Sequence, residues 1–256
     1  MARVESLVVA VACAGMMVGA GCSKEAPPAK KKPELILLCG SSFVEPAEEL
    51  MQKLTAATGV TVATTSAGSE DFLPLIKAGQ KGDVLITHDP YLDYVRDAKA
   101  LADHAHVGFV APVLVVQPGN PKKLGKIEDL TRPGLTVALT DPKYSTCGEM
   151  IFKLLDKKGI KDAVMKNVGN RLTKGHGNIG TLMKTQTIEA AVMWNGVANT
   201  FKDSLEIVKT PYEYDSEIRV HVIGLSYSKH PEAVKQAIEF AKAEGRAIFA
   251  KHGYVK

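Results

Sequence analysis

The sequence carries only four cysteines in 256 residues, too few for a disulfide scaffold of this length. Its N-terminal apolar run, Leu7 to Ala20, is shorter than the about 20 residues a membrane-spanning helix needs. It contains no G-x-S-x-G, no H-E-x-x-H and no C-x-x-C, so the common signatures of serine hydrolases, zinc proteases and dithiol redox proteins are missing. No activated nucleophile is visible, and the chain reads as a non-enzyme. His88, His104, His106 and His176 are scattered; His104 and His106 read as residues of a solvated turn. No histidine pair reads as a metal site. An excess of one charge is missing as well, once the charge is located.

The formal net charge is +4, from 32 Lys and Arg against 28 Asp and Glu. Arg3, Lys24, Lys30, Lys31 and Lys32 precede the body of the chain, against Glu5 and Glu25. From Glu34 onward 27 basic and 26 acidic residues remain, a net of +1. Nucleic-acid binding thereby loses its compositional support, since such sites concentrate Lys and Arg on one stripe.

What is present begins at the N-terminus. The run Leu7–Ala20 has the length and position of a secretory signal h-region. It ends Val18-Gly19-Ala20-Gly21-Cys22, small residues before a cysteine that resemble a lipobox, so residues 1–21 are expected as a signal peptide and Cys22 as the lipidated residue. Acyl chains contribute about 0.8 kcal/mol per buried CH₂, so several chains anchor stably. Residues 22–33, rich in Pro, Ala and Lys, read as a flexible tether. The expected location is periplasmic, as a membrane-anchored lipoprotein.

The body alternates strand and helix. Glu34–Cys39, Val60–Thr65 and Asp83–Thr87 read as strands, with helices over Phe43–Ala57, up to Ala78, and from Asp89-Pro90. A long apolar segment, Val107–Val116, is broken by Pro112. A second series follows: strands Leu135–Leu139 and Ala190–Trp194, and helices Cys147–Lys157, Ile179–Thr185 and about 195–202. Ile218–Ser226 reads as a strand returning to the first half, and Pro231–Ala243 as the closing helix. The expected fold is α/β: a two-lobed clamshell, each lobe a mostly parallel sheet flanked by helices, with two crossover hinge strands. Lobe 1 is expected at 34–110 and 222–256, and lobe 2 at 111–221.

Four helix starts follow strand ends and carry small or hydroxyl residues: Ser41-Ser42, Gly68-Ser69, Ser145-Thr146-Cys147-Gly148 and Gly175-His176-Gly177-Asn178. Unpaired N–H groups there bind an oxyanion without net positive charge, and ligands of open α/β sheets bind at strand carboxyl ends. Gly175–Gly180 is formally G-x-G-x-x-G, but no acidic residue follows at the spacing a dinucleotide site requires.

Several segments carry a resemblance. They are Leu-Cys-Gly-Ser-Ser-Phe at 38–43, Gly-Asp-Val-Leu-Ile-Thr-His-Asp-Pro at 82–90, Leu-Val-Val-Gln-Pro-Gly-Asn-Pro at 114–121, Leu-Thr-Asp-Pro at 139–142, Cys-Gly-Glu-Met-Ile-Phe at 147–152 and Ala-Ala-Val-Met-Trp at 190–194. In this order they resemble the periplasmic molybdate-binding proteins of ABC importers, over Glu34–Lys256. The resemblance implies the type II periplasmic-binding-protein fold and a bound oxyanion, molybdate or tungstate, as ligand and not as cofactor. It implies ligand contacts from Ser42 and Ser69, with Ser41 beside them, from the backbone N–H of Cys147, and from one near His176–Asn178, with Gly177 and Asn178 as the residues named. The family's tyrosine donor falls on Trp194, for which Trp194 or Asn195 substitutes. It also implies an ABC permease with its ATPase as partner, and a monomer held to the membrane by its lipid.

Cys39 and Cys147 border the implied cleft from either lobe. They are buried small hydrophobes, or a disulfide between lobes, or thiols touching a thiophilic ligand. At a helix start, Cys147 is expected to have a lowered pKa. Alternative readings of the whole chain are a binding protein for sulfate, phosphate or arsenite, and a sensory module for a membrane receptor. For a protonated anion, Glu70, Asp71 or Glu149 would supply the acceptor.

Overall fold

A computed structural model describes residues 34–255. The expected signal peptide, Cys22 and the tether lie outside the described residues.

The chain begins with β1 (Glu34–Gly40), α1 (Val44–Thr58), β2 (Thr61–Ala67), α2 (Ser69–Lys77), β3 (Val84–His88) and α3 (Tyr91–Asp97). β1 and β3 are almost wholly buried, which is why their sequences are continuous apolar runs. β2 is an edge strand rich in β-branched residues, with alternating exposure. Gly59 ends α1 at φ 72°, and its N–H closes on the Thr55 carbonyl at 2.7 Å.

β4 (Leu101–Val110) and β5 (Pro112–Val116) follow directly on one another. Next come β6 (Val137–Thr140), α4 (Thr146–Lys157), α5 (Lys161–Val168), β7 (Leu172–Thr173), α6 (His176–Lys184), β8 (Ala190–Trp194) and α7 (Asn195–Thr200). The chain ends with β9 (Glu206–Val208), β10 (Ile218–Leu225) and α8 (Pro231–Lys251).

Two five-stranded sheets result, ordered β2-β1-β3-β10-β4 and β7-β6-β8-β5-β9. In the first, β1 pairs in parallel with β2 and β3, while β10 runs antiparallel to β3 and β4. The second repeats this scheme, with β5 as the reversed strand between β8 and β9. Four strands of each sheet therefore share a direction, and the fold is the two-lobed α/β arrangement expected from the alternation. The chain passes between sheets at Ala111 and again between Val208 and Ile218.

Some expectations change. His104 and His106 lie in β4, not in a turn: Ala105 and Val107 point inward while the histidines alternate outward. α8 runs to Lys251, through Gly245. A Cβ on Gly245 would meet the Val107 side chain at 2.5 Å, so the glycine lets the helix lie against β4. One apolar core packs α1 and α8 on the first sheet and continues to Met193 and Trp194 of the second sheet and to Cys147 of α4 and Ile179 of α6 that cover it. The lobes thus share packing at the base of the cleft.

Candidate functional site

A cavity of about 280 Å³ opens where the parallel strands of both sheets end. From the first sheet it takes Ser41 and Ser42 after β1, Ser69 after β2, and His88 at the end of β3. From the second it takes Ser145 and Thr146 at the start of α4, Gly175, His176 and Asn178 at the start of α6, and Trp194 at the end of β8. A second cavity of about 460 Å³ adjoins it, sharing Ser41, Ser42, His176 and Asn178 and adding Gly177. All four helix starts singled out in the sequence contribute to these walls.

Each start has its own local cause. Ser145 caps α4: its Oγ accepts the N–H of Gly148 at 3.3 Å. The N–H groups of Thr146 and Cys147, in the first turn, have no carbonyl within the helix to bond. Gly68 precedes α2, its N–H donating to Asp71 Oδ2 at 3.2 Å. The buried Thr87 hydroxyl donates to Ser69 Oγ at 2.8 Å, which leaves the Ser69 hydrogen for the cavity. Gly40 permits this approach, because a Cβ there would stand 2.9 Å from Ser69 Oγ. Behind the Ser41-Ser42 turn, the Tyr254 hydroxyl donates to the Ser42 carbonyl.

The floor is aromatic. Trp194, 1% exposed, packs between His88 and His176, with ring centroids 5.8 Å and 5.7 Å away. His88 Nδ1 lies 2.6 Å from the Asp89 carbonyl, so a neutral His88 donates from that nitrogen. Burial pushes the His88 pKa down and takes that of His176 to about 3. Burial, then the neighbouring Glu70, raises Tyr91 to about 12. Charge on the cavity wall is balanced: Lys174 and Glu70 both line it, and Lys174 reaches Asp71 of α2 at 3.7 Å. On the other side the Thr200 hydroxyl donates to Glu45 of α1 at 2.9 Å.

Ser41, Ser42, Ser69, Asn178 and Trp194 thus come together, with Gly177 in the adjoining cavity. The thiols do not join them. Cys39 and Cys147 are both free and wholly buried, and neither side chain lines the cavity. Cys39 turns into the apolar core, its Sγ 3.4 Å from the Gly40 carbonyl. Burial pushes its pKa up to about 12 and raises that of Cys147 too, so the lowered pKa expected for Cys147 is corrected. Desolvation outweighs the helix start. A thiol contact and an inter-lobe disulfide both fall away; at this helix start the wall is formed by Ser145 and Thr146, with Cys147 and its backbone N–H one residue behind.

Asn195 is consumed elsewhere. Its Oδ1 accepts the Ala111 N–H at 3.1 Å, and its Nδ2 donates to the carbonyls of Phe109 at 3.3 Å and Val255 at 2.7 Å. It fastens the first crossing between sheets and is not a ligand donor. Sequence reasoning gave His88 no part in the site and named His176 only for the backbone N–H groups of its turn, not for its ring. The available signal was position, since one ends a buried strand and the other opens α6.

Residues 35–255 match the model of a family described as bacterial extracellular solute-binding protein. The molybdate-binding protein ModA of Mycobacterium tuberculosis (strain ATCC 25618 / H37Rv) is 25% identical over 264 residues, spanning 98% of this chain and 96% of that protein. A solved substrate-binding domain from Clostridium difficile, assigned to a molybdenum ABC transporter, superposes with a TM-score of 0.70 at 18% identity, covering 88% of this chain and 99% of that one. The sulfate-binding protein SubI of M. tuberculosis H37Rv gives 0.69 at 16% identity, covering 87% and 86%. Two neighbours named for different solutes, molybdenum and sulfate, share one fold, so the fold alone does not select the ligand.

Proposed function

The chain belongs to the bacterial extracellular solute-binding proteins, and from that premise we propose that it captures a tetrahedral oxyanion, molybdate or tungstate, and delivers it to an ABC permease. The observation that carries this reading is the convergence of Ser41, Ser42 and Ser69 with the starts of α4 and α6 on one cavity of balanced charge. Hydroxyls and first-turn N–H groups hold an anion by dipoles rather than by net charge. The near-full-length likeness to a molybdate-binding protein supports the choice of anion.

We place the lobes at 34–110 with 222–256 and at 111–221, β10 entering the first sheet already at Ile218. Ser42 and Ser69 bind from one lobe, and the N–H groups of Cys147 and of the 177–178 turn add bonds as the other closes. Ligand then shifts the population toward the closed form. The rim contacts Lys174–Asp71 and Thr200–Glu45 join elements of the two lobes and help hold that form. A lipid on Cys22 keeps the monomer at the outer face of the membrane, beside the permease and its ATPase.

A protonated oxyanion, phosphate or arsenate, is the second reading. It is favoured by Glu70, the carboxylate of the three considered that reaches the wall. A thermal-shift screen of molybdate, tungstate, sulfate, phosphate and arsenate separates the two. A tight ligand at 100 times its Kd stabilises by about 2.7 kcal/mol. Molybdate or tungstate is expected to shift the midpoint most, and an equal shift with phosphate contradicts the first reading.

A further inference from the structure

Among the described residues, both ring nitrogens of His176 are buried and have no hydrogen-bond partner. A neutral imidazole carries one N–H and one bare nitrogen, and burying both unpaired is unfavourable unless something arrives to pair them. His176 is 6% exposed, yet it forms part of the wall of both adjoining cavities. We propose that His176 takes up a proton from solvent when an oxyanion enters the cavity and, as imidazolium, donates a hydrogen bond to it. The inference rests on the oxyanion reading of this site and adds a regulation of it by pH.

The surroundings support a charge that is absent from the empty site and present in the filled one. Without ligand, burial and the neighbouring His88 hold His176 neutral. The walls supply no surplus cation, since Lys174 is engaged by Asp71 and shares the wall with Glu70, and Glu45 lines the adjoining cavity. A dianion entering there meets no compensating charge until a proton comes with it, and an opposite charge close by favours the protonated imidazole. The Trp194 ring, its centroid 5.7 Å from that of His176, offers a π-face to the cation.

The other titratable groups around His176 are less suited. His88 already spends Nδ1 on the Asp89 carbonyl. Tyr91 and Tyr254 are phenols raised by burial, and Tyr144 stands under the Lys174 ammonium. Glu149, on α4, is outside both walls.

The test is calorimetric titration with molybdate and with tungstate, dianions across the range used, in two buffers of different ionisation heat at about pH 6, 7 and 8. The wild-type protein is expected to take up a fraction of a proton per anion, rising toward one as pH falls. Its affinity strengthens by up to about tenfold per pH unit on that descent. H176Q keeps a donor but cannot be protonated, so its uptake vanishes and its affinity no longer varies with pH. H88Q retains both. Anion binding by the wild type without proton uptake, or uptake that persists in H176Q, overturns the inference and leaves the oxyanion reading intact. Failure of both anions to bind overturns the molybdate–tungstate reading and this inference with it.

Discussion

Ser69 and Thr87 permit a separation of binding from stability. The buried Thr87 hydroxyl donates to Ser69 Oγ at 2.8 Å, and Ser69 lines the proposed anion cavity. Ser69→Ala removes one donor to a charged acceptor, worth about 1.5–3 kcal/mol, so the Kd for molybdate is expected to rise roughly tenfold to 150-fold. The same change strands the Thr87 hydroxyl without its acceptor, which costs the empty protein about 1–3 kcal/mol. At roughly 2–4 °C per kcal/mol for a body of this size, Tm falls by about 2–12 °C. Thr87→Val added to Ser69→Ala removes the stranded group, because replacing both partners by apolar atoms of like shape is nearly neutral. The double variant therefore recovers most of the lost Tm while its affinity stays as low as that of Ser69→Ala. Unfolding calorimetry without ligand and titration with molybdate read the two effects separately. Wild-type affinity in Ser69→Ala refutes the role of Ser69 at the site. Equal instability of the single and double variants refutes the donation from Thr87.

Gly40→Ala places a methyl 2.9 Å from Ser69 Oγ; displacing that hydroxyl is expected to weaken anion binding by at least about tenfold, read by titration, with a smaller loss of Tm. Asn195→Ala abandons three side-chain hydrogen bonds to backbone groups at the sheet crossing, a loss of about 3 kcal/mol and about 6–12 °C in Tm by calorimetry. Cys39 and Cys147, buried with raised pKa values, are expected to resist thiol reagents in the folded protein with or without anion and to label promptly on unfolding. The His176 pKa is lowered to about 3 in the folded, empty protein, so its contribution to stability is complete above the unfolded value of about 6.5 and is lost as pH falls below it. Denaturant unfolding of the empty protein should show up to about 1.4 kcal/mol of loss per pH unit from this group below about pH 6, and H176Q should remove that part of the slope.

The strands and helices that carry the site were legible because each is a strong local pattern. Buried strands such as Leu35–Cys39 and Val84–Thr87 read as apolar runs, and glycine or hydroxyl residues marked the helix starts that follow them. Weak local patterns were missed. β9 is a three-residue edge strand, and α5 is a short helix between turns. β4 begins in Leu-Ala-Asp-His-Ala-His, where apolar Ala102 on the outward face and polar Asp103 on the inward one break the period of two. At the site, positions along the chain were legible but side-chain directions were not. Cys39 sits three residues before Ser42 and still turns its thiol into the core. Asn195 follows Trp194 and points back to the hinge rather than to the cavity. His176 lay inside a motif read for its glycines and backbone N–H groups, and its importance follows from what it lacks among the described residues, a hydrogen-bond partner for either ring nitrogen.

The central claim is that the cavity between the two sheets holds the oxyanion. Crystals grown with tungstate and measured at a tungsten absorption edge test it most directly. One dominant anomalous peak is expected, with the tungstate oxygens within hydrogen-bonding reach of the Ser42 and Ser69 hydroxyls, the Cys147 N–H and the His176 ring. A dominant peak outside this cavity, or protein crystallised in saturating tungstate with no peak, contradicts it.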